Sequence, residues 1–417
     1  MRDIGFKELL ISIVVGLAIT ITSFYIHIHP SLNSMINFKT ATINLEEDHF
    51  SDVYIQQVVD YHKEHPVFAR RILSTYLIEI TQKTLGLSIA QSFSFINFSL
   101  FFLVGLLVFY LAKIMGMSQN SALLSQIIYH LCFSVFFAFF RTNYTYDEPL
   151  QYFFCLLSLT FIIKERVFML IVSLFLALMA RESSIVIFPS MFFLYYFLYQ
   201  EKIRIDFQLI KKGLLFTVPV IMYLIFYIYH LSTFEAGVEE NYDELNVRFS
   251  QLMYNFQNVQ FSIESIALFI MISGLPVVLL LAQGKEVIKN EKYKLRVAFW
   301  LALVLNTIMV YVSARVNEAR VLALPLIFLW PLLGNYALNF WHQTIHRITK
   351  KVVFVLILVM GFMAFVSYYI AICTYKPTGA DSVENLFNEY FFILLLLMSF
   401  IVSFCFLIKY LKVTKTS

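Results

Sequence analysis

The chain has 417 residues, 60% of them hydrophobic and 14% charged, with a mean hydropathy of +0.75 and a formal net charge of +4. Soluble domains carry roughly 45 to 50% apolar and 25% charged residues, so a soluble fold is excluded and lipid must stand in for much of the core. The small positive charge collects in loops on one side of the apolar stretches, which fits positive-inside topology and gives nucleic-acid binding no support.

In chain order, the first apolar stretch, 9–28, follows Arg2 and Lys7, lacks a small-residue cleavage site and reads as an uncleaved membrane helix. Residues 29–92 form the longest non-spanning segment and are not a plain linker. The run SDVYIQQVVDYHKE, 51–64, has helical character, and Pro66 is placed to open a second helix on which Ile72, Leu73, Tyr76, Leu77 and Ile80 follow i, i+3, i+4 spacing. Arg70, Arg71, Ser74, Glu79 and Lys83 make that helix too polar to span, so it is expected to lie in the interface, apolar side toward lipid or the bundle. Further spans are predicted at 93–112, 121–140, 149–163, 167–180, 184–199, 213–231, 261–282, 297–314, 319–338, 352–373 and 390–408. A second outer loop, 232–260, is acidic, with Glu235, Glu239, Glu240, Asp243 and Glu244. The expected fold class is an all-α integral membrane protein, one polytopic domain over 1–417 with about 12 transmembrane helices and interfacial amphipathic helices in the first outer loop.

With the N-terminus inside, about 20 of the 31 Lys and Arg fall on the inner side, including Lys202, Arg204, Lys211, Lys212 and the run from Lys285 to Arg296. Both termini are then cytoplasmic in a plasma (inner) membrane. The four cysteines, Cys132, Cys155, Cys373 and Cys405, show no CxxC spacing, so neither a disulfide framework nor a zinc site follows.

An ionisable group at a helix centre costs roughly 2.5 to 3.5 kcal/mol on insertion scales, so charges at span ends carry information. Asp48 and Asp52, Arg70 and Arg71, Arg141 with Asp147 and Glu148, Arg181 and Glu182, and Arg315, Glu318 and Arg320 all fall at the outer level. Any single pair is equally well read as an interfacial anchor or salt bridge. The whole set offers both carboxylates and guanidiniums, as a site for an anionic, lipid-borne substrate requires. A carboxylate such as Asp52 accepts a hydroxyl proton or holds a metal, while the arginine fork matches phosphate oxygens. Glycosyl transfer from a lipid phosphate needs a base for the acceptor and cations for the charge growing on the departing phosphate. Tyr54, Tyr144 and Tyr146 offer faces on which a sugar can stack. The outer histidines, His27 and His29 among them, are spaced loosely for a metal site and read as interfacial anchors; no cofactor is established, and a divalent metal is left open.

These motifs resemble the GT-C superfamily, bacterial-type multi-spanning glycosyltransferases that use polyprenyl-phosphate-linked sugars. The similarity lies in Asp52-Val53-Tyr54 followed by His65-Pro66-Val67-Phe68-Ala69-Arg70-Arg71, in Tyr146-Asp147-Glu148-Pro149-Leu150, in Ala180-Arg181-Glu182-Ser183 with Pro189, and in Glu318-Ala319-Arg320 with Pro325. It covers roughly the first half of the chain by motif and the rest by topology. The resemblance implies that Asp52, or failing that Asp48, holds the place of the catalytic acid residue, that Arg70, Arg71, Arg181 and Arg320 meet the phosphate, and that Asp147, Glu148, Glu182, Glu318 and Tyr54 support them. It further implies a membrane enzyme that moves a sugar from a polyprenyl-phosphate donor to a surface lipid, glycan or protein. The rivals are a surface-polysaccharide polymerase or ligase, and a lipid-linked oligosaccharide flippase or other transporter, against which no repeat relates the two halves.

Overall fold

The computed structural model describes residues 4–28, 43–44, 49–64, 66–132, 134–135, 146–197, 207–232, 250–257, 259–283, 291–314, 316, 322–345, 350–369, 395–397, 399–401 and 403. They are helical apart from one small antiparallel pair. Helix α1 (Phe6–Ile28) leads to β1 (Ile43–Asn44) and β2 (His49–Phe50), with Ile43 opposite Phe50, and then to α2 (Asp52–Glu64), α3 (Pro66–Ala69) and α4 (Ile72–Leu85). There follow α5 (Ile89–Ile114), α6 (Gln119–His130), α7 (Glu148–Ile163), α8 (Val167–Ala180) and a 3-10 turn, Glu182–Ile187, that runs into α9 (Phe188–Phe197). Beyond these come α10 (Phe207–Leu231), α11 (Gln251–Asn255), α12 (Val259–Ala282), α13 (Glu291–Ser313), a second 3-10 turn, Leu324–Phe328, α14 (Trp330–Ile345) and α15 (Lys350–Tyr368).

Among the described residues, five helical stretches are long and apolar enough to cross a membrane: Phe6–His27, Ile89–Ile114, Lys211–His230, Ser265–Ala282 and Lys292–Ser313. Four shorter apolar helices, Glu148–Ile163, Val167–Ala180, Glu182–Phe197 and Val353–Tyr368, coincide with four more of the predicted spans. The outward faces of these helices are themselves apolar: Val14 and Ile21 on α1, Ile225 and Ile228 on α10 and Phe362 and Phe365 on α15 are all largely exposed. A water-facing surface does not carry such patches at this extent, and a helix that is apolar all round belongs in lipid. The predicted span 319–338 takes a different form. Pro325 lies at the start of the 3-10 turn Leu324–Phe328, and the α-helix begins at Trp330 with Pro331 in its first turn, where its missing N–H costs nothing.

Close helix contacts hold the core. Gly334 of α14 lies against Ser121 and Ser125 of α6, so near that a methyl group there would strike the Ser121 carbonyl oxygen. The Ser125 hydroxyl accepts from the Gly334 amide at 2.9 Å and donates to the Pro331 carbonyl at 3.1 Å, the small-residue crossing by which membrane helices pack without a hydrophobic drive. Gln126, fully buried, exchanges two hydrogen bonds with Ser12 of α1. Helices α1 and α5 are antiparallel: Glu8 pairs with Lys113 at 2.9 Å at one end, and Phe24 meets Phe98 edge-on toward the other. Several cations rest on tyrosine rings: Lys164 on Tyr110, Lys212 on Tyr195 and Arg296 on Tyr336.

The segment between α1 and α5 holds short helices, with a break at the site. The helix opened by Pro66 ends at Ala69, and α4 begins afresh at Ile72. Helix α4 buries its Ser74, Thr75, Ile78 and Thr81 face and leaves Tyr76 and Ile80 half exposed, so its small, hydroxyl-bearing side faces protein and its larger apolar side faces outward.

Candidate functional site

The break between α3 and α4 builds the site. The Arg71 amide donates to the Phe68 carbonyl at 2.9 Å, closing a tight turn, and the backbone of Arg71 leaves helical geometry at φ −93°, ψ 54°. Both guanidiniums of the Arg70-Arg71 pair thereby turn inward. A wall of rings backs the turn: Arg71 lies over Phe68, Phe68 packs on Tyr61 and His62, and His62 stacks on Tyr146 with centroids 4.2 Å apart. Tyr146 is fixed in turn by a 2.8 Å hydrogen bond between its hydroxyl and that of Thr75.

Carboxylates from two further segments meet this turn. Glu182, first residue of the 3-10 turn after α8, accepts from Arg71 Nε at 2.7 Å through Oε2; its Oε1 accepts from Arg71 Nη2 and, at 3.1 Å, from Arg70 Nη2. Asp147, just before α7, accepts from Arg71 Nη1 at 3.3 Å. Glu148 is paired with Arg181. Arg70 Nη1 also donates to the hydroxyl of Tyr227, near the end of α10, at 3.3 Å. One turn into α7, Gln151 donates to the hydroxyls of Ser183 and Ser184 at 3.1 and 3.0 Å and pins the turn that carries Glu182. The α3–α4 turn, the start of α7, the end of α8 and the end of α10 therefore share one level.

The cluster has two layers. Glu182, Arg70 and Arg181 keep 23%, 12% and 11% of their side-chain surface open, whereas Arg71, Asp147 and Glu148 keep 4%, 0% and 2%. Three guanidiniums face three carboxylates, so charge is nearly balanced in a setting where an unpaired ion would be costly. Burial pulls Arg71 toward its neutral form, but Glu182, then Asp147 and Glu148, outweigh it and hold the guanidinium above its ordinary value. For Asp147 burial wins: despite Arg71, and with Glu148 adding to the rise, its carboxyl is pushed up to about 7.

That shift fixes a sign. The folded-state value of Asp147 lies above its unfolded value of about 3.9, so its protonated form favours the fold; the contribution is complete at low pH and is lost as pH rises through about 7. Thermal unfolding in detergent is expected to show stability falling between about pH 4 and about pH 7. Asp147→Asn, which keeps an oxygen for Arg71, should flatten that fall, and an unchanged slope would mean that other groups cause it.

Of the residues singled out in the sequence, Arg70, Arg71, Arg181, Asp147, Glu148 and Glu182 come together. Asp48, Glu318 and Arg320 lie outside the described residues. Tyr54 packs against the buried core. Asp52 serves a helix end: its Oδ1 accepts from the Ala90 amide at 2.8 Å, beside a capping box in which Ser88 and Gln91 satisfy each other's backbone amides at the start of α5. Among the described residues this is its one polar partner. Asp52→Asn keeps that acceptor and is expected to leave stability unchanged, whereas Asp52→Ala should cost about 1 kcal/mol. Unfolding measurements on both variants check this, and loss of transfer in a fully stable Asp52→Asn protein would give the carboxylate a chemical role as well. Sequence reasoning passed over Tyr227 and Gln151; the signals were an aromatic residue near the end of a span and an amide one turn after Asp147.

A lateral cleft of about 450 Å³ opens between α1 and α5, walled by Leu17, Thr20 and Phe24 on one side and by Ala90, Phe95 and Phe102 among others on the second. From Ala90 to Phe102 it runs about 18 Å along α5 at 1.5 Å per residue. Its upper end is the helix start that Asp52 caps. Among the described residues, no three His, Cys, Asp or Glu side chains gather as a metal site. Fold and cluster together define a helical protein with membrane-crossing helices and a buried arginine–carboxylate site at one level of the bundle. The chain matches no family model, no curated protein and no solved structure.

Proposed function

We propose that this chain is a membrane glycosyltransferase of the GT-C type, transferring a sugar from a polyprenyl-phosphate donor to a lipid, glycan or protein acceptor at the extracytoplasmic face of the plasma membrane. In this reading about twelve spans leave both termini in the cytoplasm, and the arginine cluster faces outward. The observation that supports it is the pair Arg70 and Arg71, whose adjacent forks converge on one carboxylate beside the end of α10, the pattern of donors that a lipid phosphate needs.

The donor phosphate meets Arg70 and Arg71, and its isoprenoid chain follows an apolar cleft such as that between α1 and α5. The acceptor hydroxyl gives its proton to Glu182, the most open carboxylate of the set. The acceptor oxygen bonds to the anomeric carbon, and the bond from that carbon to the phosphate oxygen breaks. The bonding electrons stay on the phosphate, which passes from a singly charged diester to a doubly charged monoester. Arg70 and Arg71 face that growing charge, and Asp147 and Glu148 hold Arg71 and Arg181 in line from below. The donor set does not suit a divalent cation, because each of its carboxylates already faces a guanidinium.

The test is incubation of the purified protein in lipid vesicles with polyprenyl-phosphate sugars and candidate acceptors, with release of free polyprenyl phosphate as the readout. Release coupled to acceptor glycosylation supports the transferase. Movement of intact donor between leaflets, with the sugar–phosphate bond unbroken, would instead make the protein a flippase. Addition of long glycans rather than single sugars would make it a polymerase or ligase.

A further inference from the structure

We propose that Glu182 occupies the place of the substrate phosphate, so that donor binding must displace it from Arg70 and Arg71. This rests on the reading of the cluster as a phosphate site. Three N–H donors from two guanidiniums converge on the two oxygens of Glu182, an arrangement that also suits two oxygens of a phosphate. Arg71 is buried and its Nε and Nη2 are taken by Glu182 and its Nη1 by Asp147, so a second anion reaches its fork only in place of one of them. Glu182, by contrast, starts a 3-10 turn and keeps 23% of its side-chain surface open, the side by which it would leave.

The surroundings tolerate that exchange. When Glu182 leaves, Arg71 keeps Asp147 and Arg70 keeps the Tyr227 hydroxyl, so neither cation is stranded while the phosphate enters. The phosphate brings negative charge that replaces the charge withdrawn, and the freed carboxylate stands beside the sugar–phosphate bond with its lone pairs available for the acceptor's proton. One residue thus keeps the empty site neutral and supplies a base once the site is filled. The same chemistry would admit a phosphate from either source, a lipid headgroup or the free ion.

Binding of farnesyl phosphate and, separately, of inorganic phosphate to the full-length protein in nanodiscs is measured by calorimetry for wild type, Glu182→Gln and Glu182→Asp. Removing the competing charge is expected to tighten farnesyl phosphate about tenfold or more in Glu182→Gln, with Glu182→Asp between the two. Equal tightening for inorganic phosphate would identify the free ion as sufficient, and tightening confined to farnesyl phosphate would identify the lipid form; both outcomes support displacement. Unchanged or weaker binding in the variants, with wild type binding normally, overturns the displacement and leaves the phosphate site standing. If none of the three proteins binds either probe, the phosphate reading falls and the displacement with it. Should Glu182→Gln not be recovered as a monodisperse protein, Glu182→Asp decides, since it keeps the charge and shortens the reach.

Discussion

Arg71→Ala is expected to be the most damaging single substitution in the molecule, costing about 3 to 5 kcal/mol of stability and abolishing lipid-phosphate binding. Arg71 joins its own turn to two further segments: it donates twice to Glu182 and once to Asp147. Its removal leaves Asp147 fully buried with no guanidinium of its own and unties the α3–α4 turn from α7 and from the turn after α8. Arg71→Lys restores the charge but not the planar fork, so it should recover part of the stability and little of the binding. Unfolding in detergent, followed by helical signal, together with phosphate binding, checks both statements. An Arg71→Ala protein as stable as wild type would mean that the cluster does not hold these segments together.

Glu182→Gln is expected to lower transfer by about 10²- to 10⁴-fold, the usual worth of a positioned proton acceptor, while the protein folds and retains its donor. Because removing the competing charge from Arg70 and Arg71 tightens the donor, the loss should fall on turnover and not on donor affinity. Glu182→Asp, with the same charge on a shorter stem, should recover part of the rate. Initial rates over a donor concentration series separate the two effects. Full activity in Glu182→Gln would remove this residue from the proton transfer and return attention to Asp52 and Asp48.

The charged level was legible in the sequence because lipid makes ionisable residues costly everywhere except at span ends, in turns and in paired clusters. Asp147-Glu148 before one apolar run and Arg181-Glu182 after another were therefore conspicuous, and so was the Arg70-Arg71 pair on a segment too polar to span. Which acid meets which arginine was not legible, because partners such as Arg71 and Glu182 are more than a hundred residues apart and chain spacing says nothing about them. The helix break at Arg70 was hidden for a local reason: Phe68, Ala69 and Ile72 continue a plausible helical pattern, and tertiary contacts from Glu182 and Asp147 reward leaving it.

Helix lengths were read less well than helix positions. The apolar window at 121–140 gives no sign that α6 ends at His130, and the window at 319–338 conceals the 3-10 turn at Pro325. Hydropathy reports how apolar a stretch is, whereas caps and prolines decide where its backbone hydrogen bonds stop. The role of Asp52 shows the same gap. Its place after the first span made it conspicuous, but nothing in the spacing shows that its oxygen accepts from the amide of Ala90, 38 residues further along the chain.

The most direct measurement is photo-crosslinking with a polyprenyl phosphate that carries a photoreactive group next to its phosphate, followed by mass spectrometric mapping of the labelled peptides. Labels on the α3–α4 turn around Arg70 and on the turn around Glu182, lost in Arg71→Ala and competed by unlabelled lipid phosphate, are the predicted result. Labels spread along lipid-facing helices such as α10 and α15, unaffected by Arg71→Ala, would contradict a phosphate site in this cluster.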